Sequence, residues 1–202
     1  MIFRVTVRLV IWLVAAVSLG GCTATDVALK HSFPDVVASP RDISATVVLD
    51  DEFRHFVGHP NKRTSIDLGS AQTELMTKVF KGLFRQVDVV EDESGTARRD
   101  LVVRPEVVEV QVAAPSDTYL NVFEVWIKYK LEIRTGEGEL LDSWFMPAYG
   151  KSSDSLMTIK GDAIEDAAIV ALRDAGAKLI LDFYRIPAVD GWLARQGRVA
   201  DQ

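Results

Sequence analysis

Apolar residues along the chain change their period several times, and each change marks an element. Leu9 to Leu19 is an almost unbroken apolar run. From Ile43 the period is two: Ile43, Ala45, Val47 and Leu49 alternate with Ser44, Thr46, Val48 and Asp50, which predicts a strand with one buried face. Phe53 and Phe56 extend it, and Gly58, Pro60 and Asn61 then open a basic loop through Lys62 and Arg63. After that the period becomes three or four. Leu68, Ala71, Leu75, Val79 and Leu83, widened by Phe80 and Phe84, predict a helix capped by Asp67 or Ser65. Its basic residues gather in the last two turns, where the helix dipole favours them. Gln86 to Glu91 reads as a short second strand.

The third strand, Asp100 to Ala113, carries a phase shift. Leu101 and Val103 alternate on odd numbers and Val108, Val110 and Val112 on even ones, which predicts a β-bulge near Arg104 to Val107. Pro105 then occupies a position that donates no ladder hydrogen bond. The fourth strand is the clearest element: Phe123, Val125, Ile127, Tyr129, Leu131 and Ile133 form one face, and Glu124, Trp126, Lys128, Lys130, Glu132 and Arg134 the other. Gly136, Glu137 and Gly138 turn it into a fifth strand, Leu140 to Tyr149. A three-residue loop places Leu141, Ser143 and Phe145 toward the core and Leu140, Asp142, Trp144 and Met146 outside; a two-residue loop exchanges the faces.

A second helix is expected from about Gly161 to Tyr184, with Ile164, Ala168, Ala171, Leu172, Ala175, Leu179 and Phe183 in one stripe. Pro187 ends it, and Val189 to Arg195 is a short amphipathic tail. The order β-α-β-β-β-β-α predicts an α+β two-layer sandwich: a mainly antiparallel sheet of about five strands with two long helices on one face.

Arg4 and Arg8 precede the apolar run, and Gly20 and Gly21 follow it, the layout of a secretion signal over residues 1–21. An eleven-residue helix rises only about 17 Å, short of the ~30 Å hydrocarbon core of a bilayer. Leu19-Gly20-Gly21-Cys22 resembles the lipobox of bacterial lipoproteins, with Gly20 where Ala or Ser is commoner. The resemblance implies cleavage before Cys22 and acylation of its sulfur. Cys22 is the only cysteine, so it has no intramolecular disulfide partner, and modification removes a free thiol from an oxidising compartment. Thr23 is not the aspartate that retains such lipoproteins in the inner membrane. The expected location is the periplasmic face of the outer membrane, with outer-membrane lipid as the partner of Cys22.

Residues 22–42, with Pro34 and Pro40 and no clean period, suit a tether of little regular structure; 43–186 form the α+β domain and 187–202 a tail. Removing Arg4 and Arg8 takes the formal charge from −6 to −8, a balance that argues against nucleic acid. The element order is similar to that of the anticodon-binding-like domains of envelope accessory lipoproteins. These include the penicillin-binding-protein activators, the curli-secretion lipoproteins and the TolB amino-terminal domain, and, less closely, the lipopolysaccharide-assembly lipoprotein. The resemblance covers Ile43 to Tyr184 and implies fold class and compartment; it transfers no site.

Candidate chemistry is sparse. His55 and His59 have the spacing of two zinc ligands on one helical face, but Gly58 and Pro60 oppose a helix, and Phe56 stands where a zinc protease carries its glutamate. Asp50, Asp51 and Glu52 complete a cation site only through a turn that the pattern does not show. No nucleophile elbow, phosphate-binding loop or dinucleotide fingerprint is present, so neither catalysis nor a cofactor is expected. The stronger lead is the outer face of the fourth and fifth strands, where Trp126, Trp144 and Met146 interrupt Lys128 and Lys130, the composition of a protein contact. The competing reading has the 23–42 segment or Trp192 folding over that face. Function then divides between an accessory or assembly factor for an envelope complex and a carrier of lipid or glycan in a groove between helices and sheet.

Overall fold

The computed structural model describes residues 24–94, 97–118, 120–154 and 159–197. The expected signal segment, residues 1–21, and Cys22 lie outside them. In chain order the elements are β1 (Thr25–Ala28), β2 (Arg41–Val48), α1 (Asp51–Arg54), β3 (Val57–Asn61), β4 (Thr64–Asp67), α2 (Gly69–Leu83) and β5 (Phe84–Val90). There follow β6 (Leu101–Ala113), α3 (Pro115–Thr118), β7 (Val122–Thr135), β8 (Leu140–Ser153), α4 (Lys160–Asp182), a 3₁₀ turn at Phe183–Arg185, and α5 (Pro187–Arg195). Among the described residues no helix is long and apolar enough to cross a membrane.

The architecture is the expected α+β two-layer sandwich. Its main sheet has the order β5-β2-β6-β7-β8, with α2 and α4 on one face. The sheet is mixed, because β2 runs parallel to both β5 and β6. Having α2 between β2 and β5 lets the chain return to the same end before pairing, as a parallel neighbour requires. The connection from β5 to β6 lies over the outer side of β2: Arg99 pairs with Asp88 at 2.5 Å, and Thr46 and Val48 are buried there despite pointing away from the helices. The phase shift in β6 is a bulge at Val108, just beyond the expected stretch, with Val107 opposite Tyr129 and Glu109 opposite Lys128. Pro105 falls two residues past Val103, where pairing with β2 ends, so no ladder needs its missing N–H.

Two segments expected to be irregular are not. The basic stretch around Lys62 and Arg63 is the turn of a β3–β4 hairpin, and β1 pairs in parallel with β4 to make a second, three-stranded sheet. Gly58 permits this: a β-carbon there would meet Val110 of β6 at 3.0 Å, so the absent side chain lets β3 lie on the main sheet. Phe53 and Phe56 do not extend β2. Asp50 instead accepts the Phe53 amide at 3.0 Å and caps the single turn of α1, which buries Phe53.

The 24–42 segment, expected as a tether, is a strap bound across the helix layer. Leu29 and Phe33 are buried, the Lys30 amide donates to Glu165 of α4 at 3.0 Å, and the Ser32 hydroxyl donates to Glu74 of α2 at 2.9 Å. Lys78 donates to the Phe33 carbonyl. The residues after Pro187 likewise pack inward: α5 lies against β8, and Val189, Trp192 and Leu193 are buried.

Inside the core a polar chain links three elements. The Tyr129 hydroxyl of β7 donates to Gln72 Oε1 of α2 at 3.1 Å, and Gln72 Nε2 donates to the Phe53 carbonyl of α1 at 2.7 Å. Burial pushes the Tyr129 phenol far above its ordinary pKa, so it remains a donor. Gln72→Leu strands two buried groups and Tyr129→Phe one, at about 1–3 kcal/mol for each. Urea unfolding is therefore expected to show both variants destabilised, with Gln72→Leu losing roughly twice as much as Tyr129→Phe.

Candidate functional site

Alternation places Glu124, Trp126, Lys128 and Lys130 of β7 on the side of the sheet away from α2 and α4, as expected, while Phe123 through Ile133 on odd numbers are buried. The residues of β8 that join them differ from expectation. Thr135 and Glu139 flank the three-residue loop, and Arg134 faces Leu140 in the anticipated register. Leu141 is then an extra residue, a bulge, so that Ile133 faces Asp142, Leu131 faces Trp144 and Tyr129 faces Met146. One residue of slip moves every later side chain to the opposite face.

Met146 is accordingly only 1% exposed in the core, and Trp144 packs against the core from the helix side; neither belongs to the outer face. Phe145, Pro147 and Tyr149 take their places. A signal for this was present in the sequence. Met146, Ala148 and Gly150 share a face, and the shrinking side chains match the alanine stripe of α4; a β-carbon on Gly150 would meet the Ala167 carbonyl at 2.0 Å.

The outer face is organised around two ring contacts. Trp126 and Tyr149, paired across the ladder, have centroids 5.3 Å apart at 42°. One step along, Lys128 sits 5.1 Å above the Phe145 ring, a geometry suited to a cation–π contact. Trp126, Lys128 and Pro147 line a shallow cleft of about 290 Å³ with Glu109 and Gln111 of β6. Lys130 is engaged with Glu106 at 2.6 Å. Neither candidate cover reaches this face, since the strap lies over the helices and Trp192 is in the core. Phe145 is 52% exposed, and Lys128, Pro147, Glu109 and Gln111 are exposed around it.

The remaining candidates do not assemble. The His55 ring bonds Asp51 at 3.0 Å on the exposed side of α1, and His59 lies in β3; among the described residues no three His, Cys, Asp or Glu side chains are grouped to hold a metal. Between helices and sheet, Gly150 brings β8 directly against α4, and between the helices Gly176 of α4 does the same, where a β-carbon would meet Leu75 of α2 at 3.1 Å.

No family model matches the chain, and no curated protein matches it in sequence. Solved structures do share its fold. A Helicobacter pylori protein described as a homolog of the neuraminyllactose-binding hemagglutinin overlays with a TM-score of 0.56 at 12% identity, covering 86% of this chain and 100% of that one. The Xanthomonas campestris protein XCC0632, of family DUF330, overlays with a TM-score of 0.53 at 10% identity, covering 85% and 99%. A minor lipoprotein from Acinetobacter baumannii overlays more loosely, with a TM-score of 0.46 at 10% identity over 74% and 92%. At these identities the likeness is one of fold.

The Tyr149 hydroxyl donates to Glu124 at 2.5 Å, and this bond, with burial and the carboxylate's charge, holds the phenol above its ordinary pKa of 10. A folded-state value above the unfolded one means that the contribution to stability is complete below pH 10 and disappears as pH rises through the folded value. Carbon-13 NMR of labelled tyrosine is expected to show Glu124→Gln moving the Tyr149 titration down toward 10.

Proposed function

We propose that this chain is a non-enzymatic envelope lipoprotein, held through acylated Cys22 to the periplasmic face of the outer membrane, that serves as an accessory or assembly factor for an envelope protein complex. The observation that carries the reading is the uncovered aromatic face of β7 and β8. The opposite face of the sheet is closed by helices, the strap covers part of the helices, and the β5–β6 connection covers the β2 region, whereas Phe145 and Pro147 are exposed with Trp126 and Tyr149 half-buried beside them. Aromatic residues with a flanking cation and a polar rim are the composition of binding hot spots.

The carrier reading is disfavoured by the backbone contact of α4 with β8 at Gly150, which leaves no room for a lipid tail at that point. The anchor supports the accessory role by concentration. A domain confined within tens of ångströms of the bilayer meets membrane-associated partners at an effective concentration far above its bulk value.

In the acylated protein, Trp126→Ala combined with Phe145→Ser is expected to leave the melting temperature within a few degrees of wild type. Loss of about 2 kcal/mol of hot-spot contact from the two rings together lowers partner affinity ~30-fold. Co-purification of the complex from detergent-solubilised envelopes measures this; undiminished recovery with the double variant contradicts the proposal.

A further inference from the structure

The strap changes where the domain stands relative to its anchor. β1 begins at Thr25, whose amide donates to the Arg63 carbonyl at 2.7 Å, so the chain is already pinned to the folded body there. Cys22 is three residues before Thr25, a separation of at most about 11 Å along the chain. A link that short cannot lift the domain clear of a bilayer.

One end of the molecule gathers around this point. A β-carbon on Gly161 at the start of α4 would lie 3.9 Å from Thr25, and the Ser152 hydroxyl near the end of β8 donates to the Ala163 carbonyl at 2.6 Å. The Asp154 amide donates to the Asn121 carbonyl at 2.9 Å, bringing the start of β7 to the same end. Two large aliphatic side chains stand in solvent here, Ile159 at 68% and Leu120 at 56% exposure. Lys62 and Arg63, in the turn that meets Thr25, and Lys160, next to Ile159 in the chain, are exposed at this end, interspersed with Asp26, Asp154 and Asp162. Aliphatic tips with flexible cationic side chains suit the interfacial layer of a membrane, the former among acyl-chain ends and the latter at phosphates.

We infer that this end rests on phospholipid headgroups, with Ile159 and Leu120 in the interfacial layer and Lys62, Arg63 and Lys160 on phosphates. The inference builds on the acyl anchor proposed above. β7 then rises from the membrane at Val122. Trp126, four residues on, stands within about 14 Å of the surface, and the Gly136–Gly138 hairpin tip stands up to roughly 45 Å away. The partner surface therefore faces sideways, close to the bilayer, and suits a protein that is itself at the membrane.

The test uses the mature protein purified from membranes and reconstituted in vesicles of phosphatidylethanolamine with a minority of phosphatidylglycerol. The intact mass of the N-terminal peptide first reports whether Cys22 carries acyl chains. An environment-sensitive fluorophore is then placed through Ile159→Cys or, at the far tip, through Glu137→Cys, and quenched by lipid nitroxides at headgroup depth. Several-fold stronger quenching at 159 than at 137, with a blue-shifted emission at 159, is the expected result. A peptide without acyl mass overturns the anchor and this inference together. A fully acylated protein quenched equally at both positions, or more at 137, overturns this inference alone.

Discussion

The constraint on which the sandwich depends is the approach of helix to sheet at Gly150. A β-carbon there would sit 2.0 Å from the Ala167 carbonyl and 2.3 Å from the Ala171 amide, so α4 lies directly on β8 with nothing between the two backbones. That approach requires small residues on both sides, Ala148 and Gly150 on the strand and Ala163, Ala167, Ala168 and Ala171 on the helix, all at or near zero exposure. It also fixes the register of β8. With Gly150 turned inward, Met146 and Ala148 must follow it, and Phe145, Pro147 and Tyr149 must face out. The aromatic character of the open face is thus a consequence of how tightly the helix sits on the opposite one.

The same packing explains why that face is the one left open. α2 and α4 touch through Gly176 against Leu75 and Val79, which leaves their outer surfaces for the strap to cover with Leu29, Phe33 and Val36. Glu74 joins strap and helix: its carboxylate accepts from Ser32 and the Phe33 amide and pairs with Lys78 at 3.0 Å, and these bonds hold its pKa below the usual carboxylate range. With the strap committed to the helices and Trp192 to the core, no described part of the chain remains to close the sheet's other side over β7 and β8. A short link to Cys22 follows from the same commitment, because the residues between 25 and 42 are used as structure and not as a long tether.

Much of this was readable in the pattern of residues. The alternation of β7, the phase shift in β6 and the helical stripes of α2 and α4 are strong signals, since each is repeated over ten or more residues and each faces a continuous core. Other parts carried weak signals for physical reasons. β1 has four residues and one buried side chain, Val27, too few to show a period. β3 contains Gly58, Pro60 and Asn61, all poor strand formers, and owes its place to the gap that Gly58 leaves for Val110. The bulge at Leu141 was hidden because Leu140 and Leu141 are identical and either can begin an apolar alternation. Trp126, Lys128 and Lys130 were therefore placed correctly, from within β7 alone, while Trp144 and Met146 depended on a register that only the packing of α4 decides. The parallel pairing of β2 with β5 was implicit in the strand–helix–strand order, which favours a crossover.

The central claim is that the open face of β7 and β8 is occupied by another protein in the cell. Photocrosslinking in intact cells tests it most directly, with a photoreactive residue at Trp126 and, as the comparison, at the exposed Leu181 on the helix side. The account predicts a discrete protein adduct from position 126 and none of comparable yield from 181. Adducts from 126 that contain only the protein's own residues, or equal and diffuse adducts from both positions, would contradict it.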